Sequence, residues 1–289
     1  MNVDPALVYR GLDVWTGKPT LEQRARVEHE LVDLVEPERP FSVKEFQRLA
    51  AEVLAELAAS GTPALLVGAS GLYFRAAVDR LRFPTTDPAV RDRLEREAAS
   101  LGAQSMHRRL AEADPIAASR IEPGNVRRTV RALEVIEVTG RAFSSFRDEW
   151  DRFPPGNVRV AGVWLERDAL RTRIERRVED RFDALLEEVR GLLAAGHGPF
   201  LESGHLIGYA EAVRVLRGEW SAEEAKRFIV RRDRGLARRQ LAWFRRDPRV
   251  RWFQAGPEGA LGLVEPILRY LRQDPPSRAA RARTEEVVP

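Results

Sequence analysis

A short apolar run ending in a glycine turn constrains this chain more than any other stretch. Ala64, Leu65, Leu66 and Val67 enter Gly68-Ala69-Ser70-Gly71, with Leu72 and Tyr73 beyond. Upstream, Phe46, Leu49, Val53 and Leu57 recur at helical spacing and stop at Gly61. Ser42-Val43-Lys44-Glu45 opens that helix as a capping box, in which Ser and Glu satisfy each other's backbone donors. Helix, short buried strand and glycine turn form the repeat of a parallel sheet, so the class is α/β.

The same reading organises the rest. Asn2-Val3 reads as a strand end, and residues 158–165 as a strand. Helices are expected from Asn125 to a stop at Gly140, over 169–195, and onward from a second capping box at Ser221-Ala222-Glu223-Glu224. Between Thr85 and Pro155 no strand is evident. The expected division is a core of residues 1–87 and 158–273, a helical insertion over 88–157, and a frayed tail over 274–289, rich in Pro and charge.

Composition narrows the chemistry. The 289 residues are 44% apolar and 32% charged, as in a globular protein able to bury a sizeable core. No apolar run approaches the ~18 residues of a membrane span. No signal-peptide pattern opens the chain. With no cysteine, disulfides and thiolate metal sites are excluded, which fits a reducing cytoplasm. His29, His107, His197 and His205 lie far apart and lack metal-ligand spacing.

The net charge of +4 is unevenly spread. Lysine occurs only at Lys18, Lys44 and Lys226, so arginine carries the positive charge, as codon bias in a GC-rich genome would produce. Its clustering over 227–251 is harder to explain that way and has the footprint of a phosphate-binding surface. Arg227, Arg231, Arg234 and Arg238 fall at i, i+4, i+7 and i+11 and form one stripe. Ile229, Leu236 and Trp243, at heptad spacing, are expected to face the core. Arg127, Arg128 and Arg131 share a helical neighbourhood, where a solvated face is the simpler reading. Arg173 and Arg177 are placed to clamp an anion, although Glu175 and Glu179 make a salt-bridged surface equally consistent. Asp4 ends a strand, where parallel sheets carry functional groups; it reads as a general base or as an ordinary turn aspartate.

A phosphate loop is missing. The segment 11–18 is one residue too long for G-x-x-x-x-G-K-[ST], and Pro19 stands where the hydroxyl is required.

Six ordered blocks identify a resemblance. They are Asp4 with Val8-Tyr9-Arg10-Gly11; Thr16-Gly17-Lys18-Pro19-Thr20; Val67-Gly68-Ala69-Ser70-Gly71-Leu72-Tyr73; Arg128 with Arg131-Ala132-Leu133-Glu134-Val135 and Thr139-Gly140; Ile207-Gly208-Tyr209; and Arg234 with Ala237-Arg238-Arg239-Gln240 and Trp243-Phe244-Arg245. From Val3 to about Trp252 the chain resembles the tRNA dimethylallyltransferases. The resemblance implies a phosphate-loop-kinase-like parallel sheet core with a helical insertion that grips the anticodon stem-loop. It implies transfer of a dimethylallyl group from dimethylallyl diphosphate to N6 of the adenine 3′ of the tRNA anticodon, with Mg²⁺ as cofactor, in a monomer. By this resemblance Asp4 is the catalytic aspartate, and Arg173 and Arg177 lie in the family's arginine helix. The implied tRNA contacts are Asp4, Pro5, Ala6, Leu7, Ser70, Arg91, Arg127, Arg128, Arg131, Gly208, Tyr209, Arg234, Arg238, Arg239, Gln240 and Arg245. The family's first strand and its phosphate loop, which holds the Mg²⁺ ligand, are expected to be missing, so no metal ligand is assigned in this chain. A misassigned start, with a GUG valine codon read as Met1, is the expected cause, and negligible transfer is expected of residues 1–289 alone.

The chain also departs from the family pattern. Pro5-Ala6-Leu7 replaces Ser-x-Gln, so a leucine stands where a glutamine would read the adenine edge. Ser70 and Asp233 replace threonines, Trp15 a glycine, and Leu236 another residue from the usual aromatic-or-leucine set. Two alternatives follow: a tRNA-binding protein without transferase activity, and a phosphotransferase sharing only the core.

Overall fold

A computed structural model describes residues 1–79, 81–146, 152–154, 158–256 and 259–273. The expected tail over 274–289 lies outside them. The chain divides into two compact units: Met1–Arg80 with Pro155–Pro289, and Leu81–Pro154. None of the helices among the described residues is long and apolar enough to cross a membrane.

The first unit is helix-rich with a small parallel sheet. Strand β1, Val160–Trp164, pairs in parallel with β2, Val250–Gln254, Val160 lying opposite Val250. β2 was hidden in the sequence because its Arg251 reads as part of the basic cluster; the Val, Trp and Phe of Val250-Arg251-Trp252-Phe253 were the available signal. Isolated parallel bridges join Asn2 to Val67 and Tyr9 to Val35.

The expectation of a buried strand over 64–67 needs correction. That stretch forms one bridge, and Leu65 and Val67 are 57% and 62% exposed. Parallel strands are buried by partners on both edges and layers on both faces; among the described residues only the 1–3 segment pairs with this one, through Val3 N–H to Val67 O and Val67 N–H to Met1 O.

The core of this unit is built on α8 (Arg167–Ala194). Val178, Phe182, Leu185, Val189 and Leu192 form its buried stripe. They pack with Leu12, Trp15 and residues of α9 (Gly198–Glu202), α10 (Tyr209–Leu216) and α11 (Ala222–Phe244). The Ser221–Glu224 capping box forms as read. At α2 (Val43–Ala59) only half of the expected box exists: Ser42 Oγ accepts from Glu45 N–H, while the Glu45 carboxylate turns to Arg39. On α11, Ile229 is fully buried, but Leu236 is 37% exposed. It is therefore not the core residue its spacing suggested, because only the first half of α11 lies on the α8 core.

The second unit packs α4 (Pro88–Leu101), α5 (Ala103–Ala113), α6 (Pro115–Ala118) and α7 (Val126–Thr139) around Leu94, Met106, Leu110, Ile121, Val130 and Leu133. Asn125 caps α7 and Gly140 ends it in the left-handed conformation. Pro84, Thr85 and Asp87 bond into this unit: Arg131 donates to the carbonyls of Pro84 and Thr85, and Glu134 accepts from Asp87 N–H. The segment 84–87, expected with the core, thus belongs to the helical unit.

Candidate active site

The chain's first residues and the 68–71 turn meet at one point. Asn2 Oδ1 accepts from Asp4 N–H at 2.7 Å, and Asp4 Oδ1 accepts from Ala6 N–H at 2.8 Å. Gly68, at φ +154°, passes so close that a Cβ there would lie 3.0 Å from the Asp4 nitrogen. Only glycine fits that approach. Burial raises the Asp4 pKa above the usual 3.8, against the lowering pull of the Ala6 N–H. A half-buried carboxylate with a raised pKa, holding one backbone hydrogen bond, is equipped to accept a proton.

Ser70 immediately precedes α3 (Gly71–Asp79), and its hydroxyl accepts from Tyr73 N–H at 3.5 Å. The end of α11 docks here. A Cβ on Gly71 would fall 1.8 Å from the Trp243 ring, and Phe74 and Phe244 pack at 5.9 Å. An ion network locks this joint. Arg75 pairs with Asp79 at 2.5 Å, Asp79 with Arg249 at 2.5 Å, and Arg249 with Asp247 at 2.7 Å, every side chain being at most 6% exposed. Sequence reasoning missed this network and the role of Trp243; Arg75 and Asp79, at i and i+4, were the available sign. Arg234, Arg238, Arg239 and Arg245 are exposed along and just past α11, and Gln240 is half-buried. Pro5, Ala6, Leu7 and Ser70 are also partly accessible. Asp4, Ser70 and the basic end of α11 are therefore brought together.

Arg173 and Arg177 belong to a different cluster. Arg177 stacks on Trp15 at 4.8 Å, donates to the Trp15 carbonyl and pairs with Asp233 at 3.5 Å. Burial lowers its pKa and raises that of Asp233. Its guanidinium is thus already engaged, which corrects the reading of Arg173 and Arg177 as a matched clamp; Arg173 is exposed beside Gly259. Tyr209 is 1% exposed and donates to Glu188 Oε1 at 2.7 Å, so its side chain is core and not surface as an RNA contact requires. Burial and the Glu188 carboxylate push the phenol pKa far up, keeping it a donor. Glu188 Oε2 accepts from the backbone N–H groups of Asp13 and Val14 at 2.7 and 2.6 Å. Gly208 holds φ +100° against the Trp15 ring.

In the second unit, Arg91 and Arg131 both bind Glu134 Oε2, at 2.7 and 2.8 Å, and Glu134 is fully buried. Arg131 is thus held in an ion pair with a buried carboxylate, unlike a freely solvated surface arginine. Arg127 and Arg128 are exposed, with no ion pair among the described residues.

Residues 7–247 match the family described as IPP transferase. A tRNA dimethylallyltransferase of Thermobifida fusca is 46% identical over 267 residues, covering 92% of this chain and 82% of the relative. One from Streptomyces griseus is 45% identical over 275 residues, covering 92% and 87%. A full-length tRNA isopentenylpyrophosphate transferase structure from Bacillus halodurans aligns with a TM-score of 0.59 at 37% identity, over 88% of this chain and 80% of that one. A eukaryotic dimethylallyltransferase acting on tRNA shares the fold, with a TM-score of 0.68 at 18% identity, over 96% of this chain and 75% of that one. The chain belongs to the IPP transferase family.

Proposed function

We propose that this protein transfers a dimethylallyl group from dimethylallyl diphosphate to N6 of an adenine in tRNA. The observation that carries the reading is Asp4: half-buried, raised in pKa and against Gly68 of the 68–71 turn, on whose Gly71 the Trp243 ring of α11 docks. In the reaction the adenine N6 forms a bond to C1 of the dimethylallyl group. The C1–O bond breaks, diphosphate leaves, and Asp4 takes the amine proton. Arginines on the exposed face of α11 hold tRNA phosphates and position the loop. The target base must leave its stack to reach Asp4. Parallel pairing of β1 with β2, and of Asn2 with Val67, supports a phosphate-loop-kinase-like core.

Mg²⁺ is ordinarily held by one or two carboxylates together with substrate phosphates and water; among the described residues no group of three His, Asp or Glu side chains could hold an ion by itself. The binding-only alternative is not favoured, since relatives matching 92% of the chain carry transferase names.

The test is to incubate the protein from its own host with unmodified tRNA and labelled dimethylallyl diphosphate. Label recovered in N6-dimethylallyladenosine supports the proposal; tRNA that stays unlabelled while the protein binds it overturns the transferase reading.

A further inference from the structure

One feature of α11 lies apart from the Asp4 site. Arg227, Arg231, Arg234 and Arg238 are exposed, and none makes an ion pair among the described residues. At its far end the stripe borders an open pocket of about 450 Å³ lined by Trp220, Glu224, Arg227, Phe228 and Arg231. That volume falls within the range of about 300–1,000 Å³ typical of ligand sites. Arg214 stacks on Trp220 at 4.6 Å, Trp220 meets Phe228 edge-on at 5.2 Å, and Arg231 stacks on Phe228 at 4.6 Å. Glu224 Oε2 is held by the Ser221 N–H and hydroxyl, and those bonds lower its pKa, so it stays an ionised acceptor. Its Oε1 takes no hydrogen bond among the described residues. Sixteen residues of helix separate Arg227 from Trp243, about 24 Å at 1.5 Å per residue.

Exposed cations on aromatic faces, next to a carboxylate with an open oxygen, form a nucleotide-binding combination. Unpaired RNA bases stack on aromatic rings and on guanidinium planes, phosphates take arginine, and a carboxylate accepts from an exocyclic amine. Resting on the proposed tRNA reaction, we infer that the Trp220–Phe228 corner is a second RNA contact that takes one unpaired nucleotide of the substrate tRNA. Its base extends the arginine–aromatic stack, its amine meets Glu224 Oε1, and its phosphate lies between Arg227 and Arg231. The stripe then becomes a continuous track from this corner to the Asp4 site.

The test measures tRNA binding across a salt series. Each phosphate contact contributes about −0.7 to the slope of log K against log [salt] for single-stranded RNA. The double variant Arg227→Ala with Arg231→Ala is expected to flatten the slope by roughly 1.4. Neither side chain makes an ion pair among the described residues, but Arg231 stacks on Phe228, so melting is measured in parallel and a flattened slope with an unchanged melting temperature reads binding. Trp220 also packs on the α8 core, so it is tested as a pair of variants. Trp220→Phe keeps a stacking ring and should retain affinity, whereas Trp220→Leu should lose about fivefold or more. An unchanged slope in the double variant, with wild-type protein binding tRNA normally, overturns this inference alone. Failure of the wild-type protein to bind tRNA overturns the proposed function as well.

Discussion

Burial of a single carboxylate sets the expected chemistry at Asp4. Because desolvation raises its pKa, the deprotonated base forms only as pH climbs above the usual 3.8. The acid limb of the pH–rate profile is therefore expected above that value. In the protein purified from its own host, Asp4→Asn should leave tRNA affinity near normal and lower turnover by roughly 10²–10⁴. Wild-type turnover in that variant, or an unchanged acid limb, would remove Asp4 from the reaction. Gly71 tests the neighbouring joint. Gly71→Ala drives a methyl into the Trp243 ring, and overpacking of this kind costs about 1–3 kcal/mol. Denaturant unfolding should show that loss together with slower transfer; a variant as stable as wild type would mean that Trp243 is not seated there.

At the scale of elements, α7 separates two kinds of arginine. Arg127→Ala with Arg128→Ala should flatten the salt slope of tRNA binding by roughly 1.4 if both meet phosphates. Arg131→Ala should instead destabilise the helical unit, since it leaves Glu134 buried with one fewer cation. Equal salt effects for both variants would contradict this division. The sequence could not make it: arginines 127, 128 and 131 look alike, and only the fold shows that Glu134 is buried beneath one of them. Elsewhere the elements were legible where local chemistry decides them, as with the Asn125 cap, the Gly140 stop and the Ser221 box. The glycine turn at Asp4 was readable for the same reason. Partners distant in sequence were not: β2, the Asp79–Arg249 pair and the Glu188–Tyr209 bond depend on residues brought together by folding.

Across the whole molecule, three carboxylates in different places bind charge or backbone donors tightly. Burial alone would raise the pKa of each, but hydrogen bonds dominate: Lys18 and Arg24 lower Asp33, the Ser144 and Ala117 N–H groups lower Asp114, and Arg91 and Arg131 lower Glu134. Depressed folded-state values stabilise the protein above the unfolded values of 3.8 for aspartate and 4.5 for glutamate. The melting temperature is expected to hold at neutral pH and to fall as pH drops below about 4.5. A flat melting curve down to pH 3 would show that these bonds do not contribute.

The first unit is discontinuous in sequence, and that has a consequence for biosynthesis. Asp13 and Val14 await the Glu188 carboxylate, and Asp13 precedes it by 175 residues. At roughly 5–20 residues per second, that interval lasts on the order of 10–35 s. Throughout it, Leu12 and Trp15, destined for the α8 core, have left the ribosome before their partners are made. The helical unit, drawn from one uninterrupted stretch, completes itself first. The nascent chain thus carries the apolar segment around Leu12 and Trp15 unburied while the helical unit forms, and a cell lacking chaperones that shield such segments should yield aggregated protein.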